Sequence, residues 1–550
     1  FFKDVEQEVS GEDGPLWCGE LYLEFHRGTY TSMAAVKQKN RQCEFLLLNT
    51  EALAALALSQ NAQAALPSLD AAWKLLLLNQ FHDILPGSSI EEVYTQAAAD
   101  YAQLEDICTR VCTDLMTQLS SPLGFTSCAP EKADCMVLFN PLGFADSFAV
   151  ELPAGLALDE PAQYLQHTAQ GTALYLVENA TAKSLTKLSV VPSDVPAPQT
   201  APAERDAIAL ETDFYCITVT QTGTLVRLYD KEHERELFSA KAPGNCLKIY
   251  DDRPYEFDSW NIDASYALKH FLPQAKTKAR LVENGPYRYV VRVCSTYRSS
   301  TIWQDIVFYQ DKRRIDFHTR IDWQEHQHLL KAEFPFRLFA RKVTADIQFG
   351  NVERATHRNT TYEQAQFEMC AHKWVDCSEN GYGAALLNDS KYGYSAEGAT
   401  VALTLLKSGI FPNANADIGT HAFCYSLYPH SGDFRTGQVA QEAYRINCKP
   451  LCFFGSDTAP AQALPRLSIS QENIFCETVK PAENGRGIVL RMYEGYGRES
   501  HVCWQYGTGY DVSECDMLEQ VLHPVTTDAQ GAHCRFCPYE IKTFLLTPRV

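Results

Sequence analysis

The chain has 550 residues, of which 45% are hydrophobic and 21% charged. That fits a folded protein of roughly three or four domains at ~150 residues each and excludes a disordered one. Asp and Glu number 68 against 48 Lys and Arg, a net charge of −20, which disfavours nucleic acid and anionic membrane surfaces as partners; no run of 18 apolar residues offers a spanning helix.

The chain opens on Phe1 rather than Met, and Val5-Glu6-Gln7-Glu8 is acidic and polar. This is neither a signal nor a transit peptide, and it reads as a processed or truncated chain. Nineteen scattered cysteines do not form the dense pattern of a secreted disulfide framework. They read as thiols of a reducing compartment, so the expected location is cytoplasmic. Cys534-Arg535-Phe536-Cys537 is a lone CxxC without the second pair that structural zinc needs.

Leu21 to Phe25 alternates and reads as a strand, followed by a polar loop ending in Thr31 and Ser32, either of which can cap a helix. Met33 to Gln60 is rich in strong helix formers. Asn61 to Pro67 reads as a connection. Leu69 to Gln80 places apolar residues at 69, 72, 73, 76 and 77 on one helical face. Pro86-Gly87 stops it, and Ser88 and Ser89 with Glu91 and Glu92 resemble a capping box for a third helix. Three amphipathic helices over about 31 to 120 predict an antiparallel bundle. From Cys135 onward short β-type runs replace the helical period; examples are Met136–Phe139, Tyr215–Val219, Tyr287–Val293, Ile302–Tyr309, Ala384–Leu387, Thr400–Leu406 and Ile488–Tyr493. The fold class is therefore multidomain, α then β, with antiparallel sandwiches. Val191 to Ala203 holds four prolines and reads as a linker. No GxxxxGK[ST], GxSxG or HExxH pattern occurs.

Chemistry concentrates first in Asn79-Gln80-Phe81-His82-Asp83-Ile84-Leu85-Pro86-Gly87. There an imidazole and a carboxylate sit side by side where a helix ends. His82 could ligate a metal through one ring nitrogen, and Asp83 could accept hydrogen bonds from ligand hydroxyls. The plainer reading has His82 complementing the helix C-terminus. Trp17 to Tyr30 mixes aromatic, acidic and basic groups: either a sugar-lining segment or a strand at a domain edge with Glu24 and Arg27 paired. Ile249 to Asp263, Trp374-Val375-Asp376 and Asn388 to Tyr394 allow both a carbohydrate contact and a structured loop.

Several segments together resemble glycoside hydrolase family 38, the α-mannosidases, in the C-terminal part of its cytosolic and bacterial branch. They are Gly19–Glu24, His26–Thr31, Lys39-Asn40-Arg41 with Glu44, Asn79–Ser89, Phe257-Asp258-Ser259-Trp260, Asp322-Trp323, Leu330-Lys331, Lys373–Asp376, Leu387–Tyr394, Asp417–His421, Tyr425–His430 and Pro538–Thr543. The resemblance implies a retaining exo-α-mannosidase that uses a divalent metal, most often Zn2+, on mannose-containing oligosaccharides. It implies that His82 is a metal ligand and Asp83 a sugar-contacting carboxylate, with His26 and Tyr30 near where the family's barrel closes on the site. The family's nucleophile, acid/base and remaining metal ligands should precede residue 1, so a fragment without them is expected to be inactive. The layout this implies is a barrel remnant over 1–30, a three-helix bundle over 31–122, a small β-sandwich over 123–200, a large one over 201–465 and a C-terminal one over 466–550. A homo-oligomer stays open. The rival reading is a non-catalytic carbohydrate-binding or scaffold β protein, which mannose binding without hydrolysis would favour.

Overall fold

The computed structural model describes residues 3–4, 16–60, 67–159, 161–193, 203–460 and 464–549. The proline-rich linker expected around 191–203 lies largely outside the described residues, as does most of the connection at 61–67. Helical residues come first and strands follow, as the periodicities predict. The three main helices are Ala34–Gln60, Asp70–Asn79 and Glu91–Gln118. The first and third are long and the second has only ten residues. No described helix is long and apolar enough to cross a membrane.

The first helix is buried along most of its length. It does not sit in an independent bundle. Leu47, Leu53, Leu76, Leu104 and Leu115 form one apolar core with Val479, Leu490, Trp504 and Phe544 of the C-terminal strands. The helical layer thus has a β-sandwich as its second wall, which supplies the burial that isolated helices of this length lack.

Among the described residues the β region holds seven sheets, and every named strand pairing is antiparallel. An eleven-stranded and a six-stranded sheet enclose the largest core, with Phe317, Ile321, Trp323, Phe334, Leu406 and Tyr425 inside it. Alternation sets the faces: Ser300–Tyr309 buries Ser300, Ile302, Gln304 and Ile306 and leaves Thr301, Trp303 and Asp305 between them partly exposed.

Three expectations fail for identifiable reasons. Leu21 to Phe25 is not a strand: Glu24–His26 is a 3-10 turn, and Leu21, Leu23 and Phe25 are exposed without a partner strand among the described residues. Val439–Asn447 is a helix inside the β region; Val439, Ala440, Ala443 and Tyr444 are its buried stripe, a 3.6-residue pattern short enough to be hidden among strands. Finally, the division drawn at 200 is crossed. The strand Leu451–Asp457 runs between Phe125–Ser127 and Cys135–Asn140, with Cys135 opposite Gly455 and Phe139 opposite Leu451.

Candidate functional site at the turn after the second helix

The second helix ends under tight control. Gln80 N–H returns to the carbonyls of Leu76 and Leu77 at 3.1 and 3.3 Å. The Asn79 amide donates to Leu75 O at 2.9 Å and to Asp100 Oδ2 at 3.1 Å. The Gln80 amide donates to Asn40 Oδ1 at 3.0 Å and Glu44 Oε1 at 2.9 Å. Two side-chain amides therefore fasten the helix end to both neighbouring helices. Burial raises the Glu44 carboxyl above its ordinary range, while Arg41 pulls it back.

The chain then turns on itself. Ile84 N and Leu85 N donate to Phe81 O at 2.9 and 3.1 Å, and Gly87 N donates to Ile84 O at 3.0 Å. Gly87 is buried with φ +89 against Ser32, where a Cβ would run into the Ser32 carbonyl. Only glycine meets both conditions. The expected capping box is not formed. Ser89 Oγ donates instead to Asp83 O at 2.6 Å, and Ser89 N donates to Tyr94 Oη at 2.8 Å.

His82 and Asp83 project from this fixed base. The His82 side chain is 79% exposed and that of Asp83 50%, with Nε2 and Oδ2 3.5 Å apart. That is an ion-pair distance, too long for a good hydrogen bond. Phe81, half exposed, lies with its ring 4.3 Å from the imidazole. An aromatic face, an imidazole and a carboxylate thus share one solvent-facing turn. His82 sits beyond the helix, whose last carbonyls Gln80 N–H already engages.

His26 and Tyr30 occupy two successive 3-10 turns, Glu24–His26 and Gly28–Tyr30. Both are partly buried. Among the described residues neither shares a hydrogen bond or ring contact with His82 or Asp83. His26 Nδ1 is buried without a protein partner, and burial pushes the Tyr30 hydroxyl well above its ordinary pKa. Their segment reaches the turn through Ser32, whose N–H returns to Gly28 O at 2.9 Å and whose carbonyl backs Gly87. The expected Glu24–Arg27 pair is absent among the described ion pairs. The Arg27 guanidinium donates to Ala365 O at 2.8 and 3.1 Å and lies 4.3 Å over the Phe367 ring, so this segment is clamped onto the β region.

Several acidic and aromatic residues of the β segments are held by the fold itself. Asp252 is buried against the Lys407 ammonium. Asp258 accepts from Ile410 N and Phe411 N. Trp374 is buried and stacked on Phe434 at 5.1 Å, and Asp376 holds His430 at 2.8 Å. A cavity of about 970 Å³ is lined by residues such as Gln441, Tyr444 and Phe475, none of them in the turn.

The roles of two residues that support the turn escaped the sequence reading. Lys37 Nζ donates to Ser32 O at 2.5 Å and Leu85 O at 2.8 Å. The Asp417 carboxylate accepts from Met33 N and Ala34 N, both at 2.7 Å, and so caps the first helix. Lys37 had a visible signal: with Asn40 and Glu44 it forms a polar i, i+3, i+7 row on the first helix. Asp417 lies in the family-like segment Asp417–His421, but its capping role had no local signal, because Met33 is 384 residues away.

The metal expectation meets a limit. Among the described residues no three His, Cys, Asp or Glu side chains are grouped to hold a metal ion. One imidazole and one adjacent carboxylate fall short of the three protein donors of a catalytic zinc. These residues alone do not fit a resident metal.

Comparison with known proteins bears on the same segments. Residues 24–119 match the α-mannosidase middle domain, 210–415 the glycosyl hydrolases family 38 C-terminal domain, and 473–544 the C-terminal β-sandwich domain of that family. The chain is 36% identical to human Alpha-mannosidase 2C1 over 98% of its own length and 51% of that protein's. It is 32% identical to Alpha-mannosidase G of Dictyostelium discoideum over 99% of its own length and 54% of that protein's. It spans about half the length of the curated relatives it matches. A crystal structure of an α-mannosidase from Enterococcus faecalis V583 superposes with a TM-score of 0.79 at 17% identity, over 99% of this chain and 71% of that one, which shows the shared fold. The chain belongs to glycosyl hydrolase family 38, of which it carries the middle, C-terminal and C-terminal β-sandwich domains.

Proposed function

We propose that this chain is part of a metal-dependent, retaining exo-α-mannosidase acting on terminal α-mannose of oligosaccharides. Its relatives are named α-mannosidases, and its middle domain presents an outward imidazole and carboxylate on a rigid turn. That presentation is the observation that carries the reading. A fixed base with free tips is what a ligand-contacting pair requires. His82 would give one nitrogen to a divalent metal, most often Zn2+, and Asp83 would accept from sugar hydroxyls beside the Phe81 ring. The other metal donors, the nucleophile and the acid/base would come from residues outside these 550. Substrate contacts from His26 and Tyr30 would be indirect, through Ser32. The nineteen cysteines, all unpaired, favour a reducing compartment and so the cytoplasm.

The test is hydrolysis of p-nitrophenyl α-mannoside by the intact gene product and by the 550 residues alone, each with zinc added. The expected result is turnover by the intact protein, abolished together with metal retention in His82→Ala, and none by the 550 residues. Turnover by the 550 residues that His82→Ala abolishes would refute the division of the site. Full activity in intact His82→Ala would refute the role of the turn.

A further inference from the structure

We propose that Lys37 is a positioning residue for the His82–Asp83 turn, held in register by Asp417 of the β region. This rests on the reading that the turn contacts metal and sugar. The turn is anchored on both sides of His82, and both anchors come from one face of the first helix. On the near side Gln80 binds Asn40 and Glu44. On the far side Lys37 Nζ binds Leu85 O and, with the same amino group, Ser32 O. Lys37, Asn40 and Glu44 are spaced i, i+3 and i+7, so they form a single row along the helix.

The height and rotation of that row are set from elsewhere. A helix usually takes its cap from its own preceding Ser or Thr. Here the Ser32 hydroxyl bonds Gly28 O at 3.0 Å and Ser259 O at 2.7 Å. The cap comes from Asp417, both of whose oxygens engage the first two amides. Met33 and Asp417 both hold φ +57, a left-handed conformation uncommon for residues other than glycine. Two such residues facing each other across a bidentate cap mark a contact that the surrounding fold enforces. Lys37 is buried, so its amino group cannot exchange these carbonyls for water. Its neighbours include Asp417 and Lys391, and burial lowers it to about 7 despite the attraction of Asp417. Either protonation state keeps at least two N–H groups for its two carbonyls.

The experiment compares Lys37→Met, Lys37→Arg, Asp417→Asn and His82→Ala in the intact gene product. Readouts are kcat and KM on p-nitrophenyl α-mannoside, and amide hydrogen exchange across residues 81–89. Lys37→Met is expected to lower kcat by ~10–100-fold, the scale seen when supporting partners of a ligand are removed, with KM moving much less. Exchange should quicken at Ile84–Gly87 and not in the β core. Lys37→Arg should recover much of both, and Asp417→Asn should show a weaker version of the Lys37→Met result. Unchanged exchange or unchanged kcat in Lys37→Met overturns the proposal. Should Lys37→Met fail to fold, the outcome in Asp417→Asn decides: slow exchange at Ile84–Gly87 there overturns it too. Full activity in His82→Ala sinks the functional reading instead, and the exchange data then still judge the brace.

Discussion

Glu368 and Asp83 are both acidic residues in non-strand, non-helical chain, and the protein uses them in opposite ways. Glu368 is buried with the Lys331 ammonium, which also reaches Ser395 Oγ at 2.8 Å, while Tyr266 Oη donates to the carboxylate at 2.6 Å. Asp83 is half exposed, with a long approach to one imidazole. The first arrangement has every sign of fixed architecture: charge taken out of water and met by partners on several elements. The second keeps its hydration and its freedom to meet a ligand. Number of acidic residues therefore says little about where chemistry sits; the state of their partners says more.

Substitutions should separate the two regions by size of effect. Glu368→Ala leaves Lys331 buried without its counter-charge, so it should cost ~3–5 kcal/mol in urea unfolding; a cost below ~1 kcal/mol would erase the contrast. Next in size is a pH effect. Burial lowers Lys37 to about 7 and Lys391 to about 8, with Asp417 opposing in both cases. Between those values and the ordinary lysine value near ~10.4, the unfolded chain holds protons that the folded chain has released, so these lysines make stability rise with pH. Raised thiols and phenols act the other way, so the informative quantity is wild type minus Lys37→Met. That difference should shift toward wild type between pH 7 and 10, by up to ~1.4 kcal/mol per unit; a flat difference would mean that Lys37 is not desolvated. Smallest of all, His82→Ala should move stability by less than ~0.5 kcal/mol, as for an exposed side chain. A loss above ~2 kcal/mol would place the imidazole among the structural groups.

Legibility in the sequence followed the range of the interactions. The helices and most strands were readable because their burial patterns repeat over short windows, as in Ser300–Tyr309. The place of His82 and Asp83 in an exposed turn was readable because they are adjacent and follow the end of a helical period. What could not be read were contacts whose two halves are far apart. The Asp417 cap is one, and Ser89, which fits a capping box on paper, turns its hydroxyl back to Asp83 O because Tyr94 already engages its amide. The strand expected at Leu21–Phe25 failed for a related reason: alternation predicts a ribbon only where another ribbon is available to pair with it.

The strand Leu451–Asp457 has a consequence for how the molecule comes into being. Cys135 bonds Gly455 across 320 residues of intervening chain. On the ribosome, Cys135–Asn140 and Phe125–Ser127 must wait with open edges until nearly the whole large sandwich has been synthesised. Assembly of the small sheet is thereby a late event, and the order of synthesis makes the late strand Leu451–Asp457 its keystone.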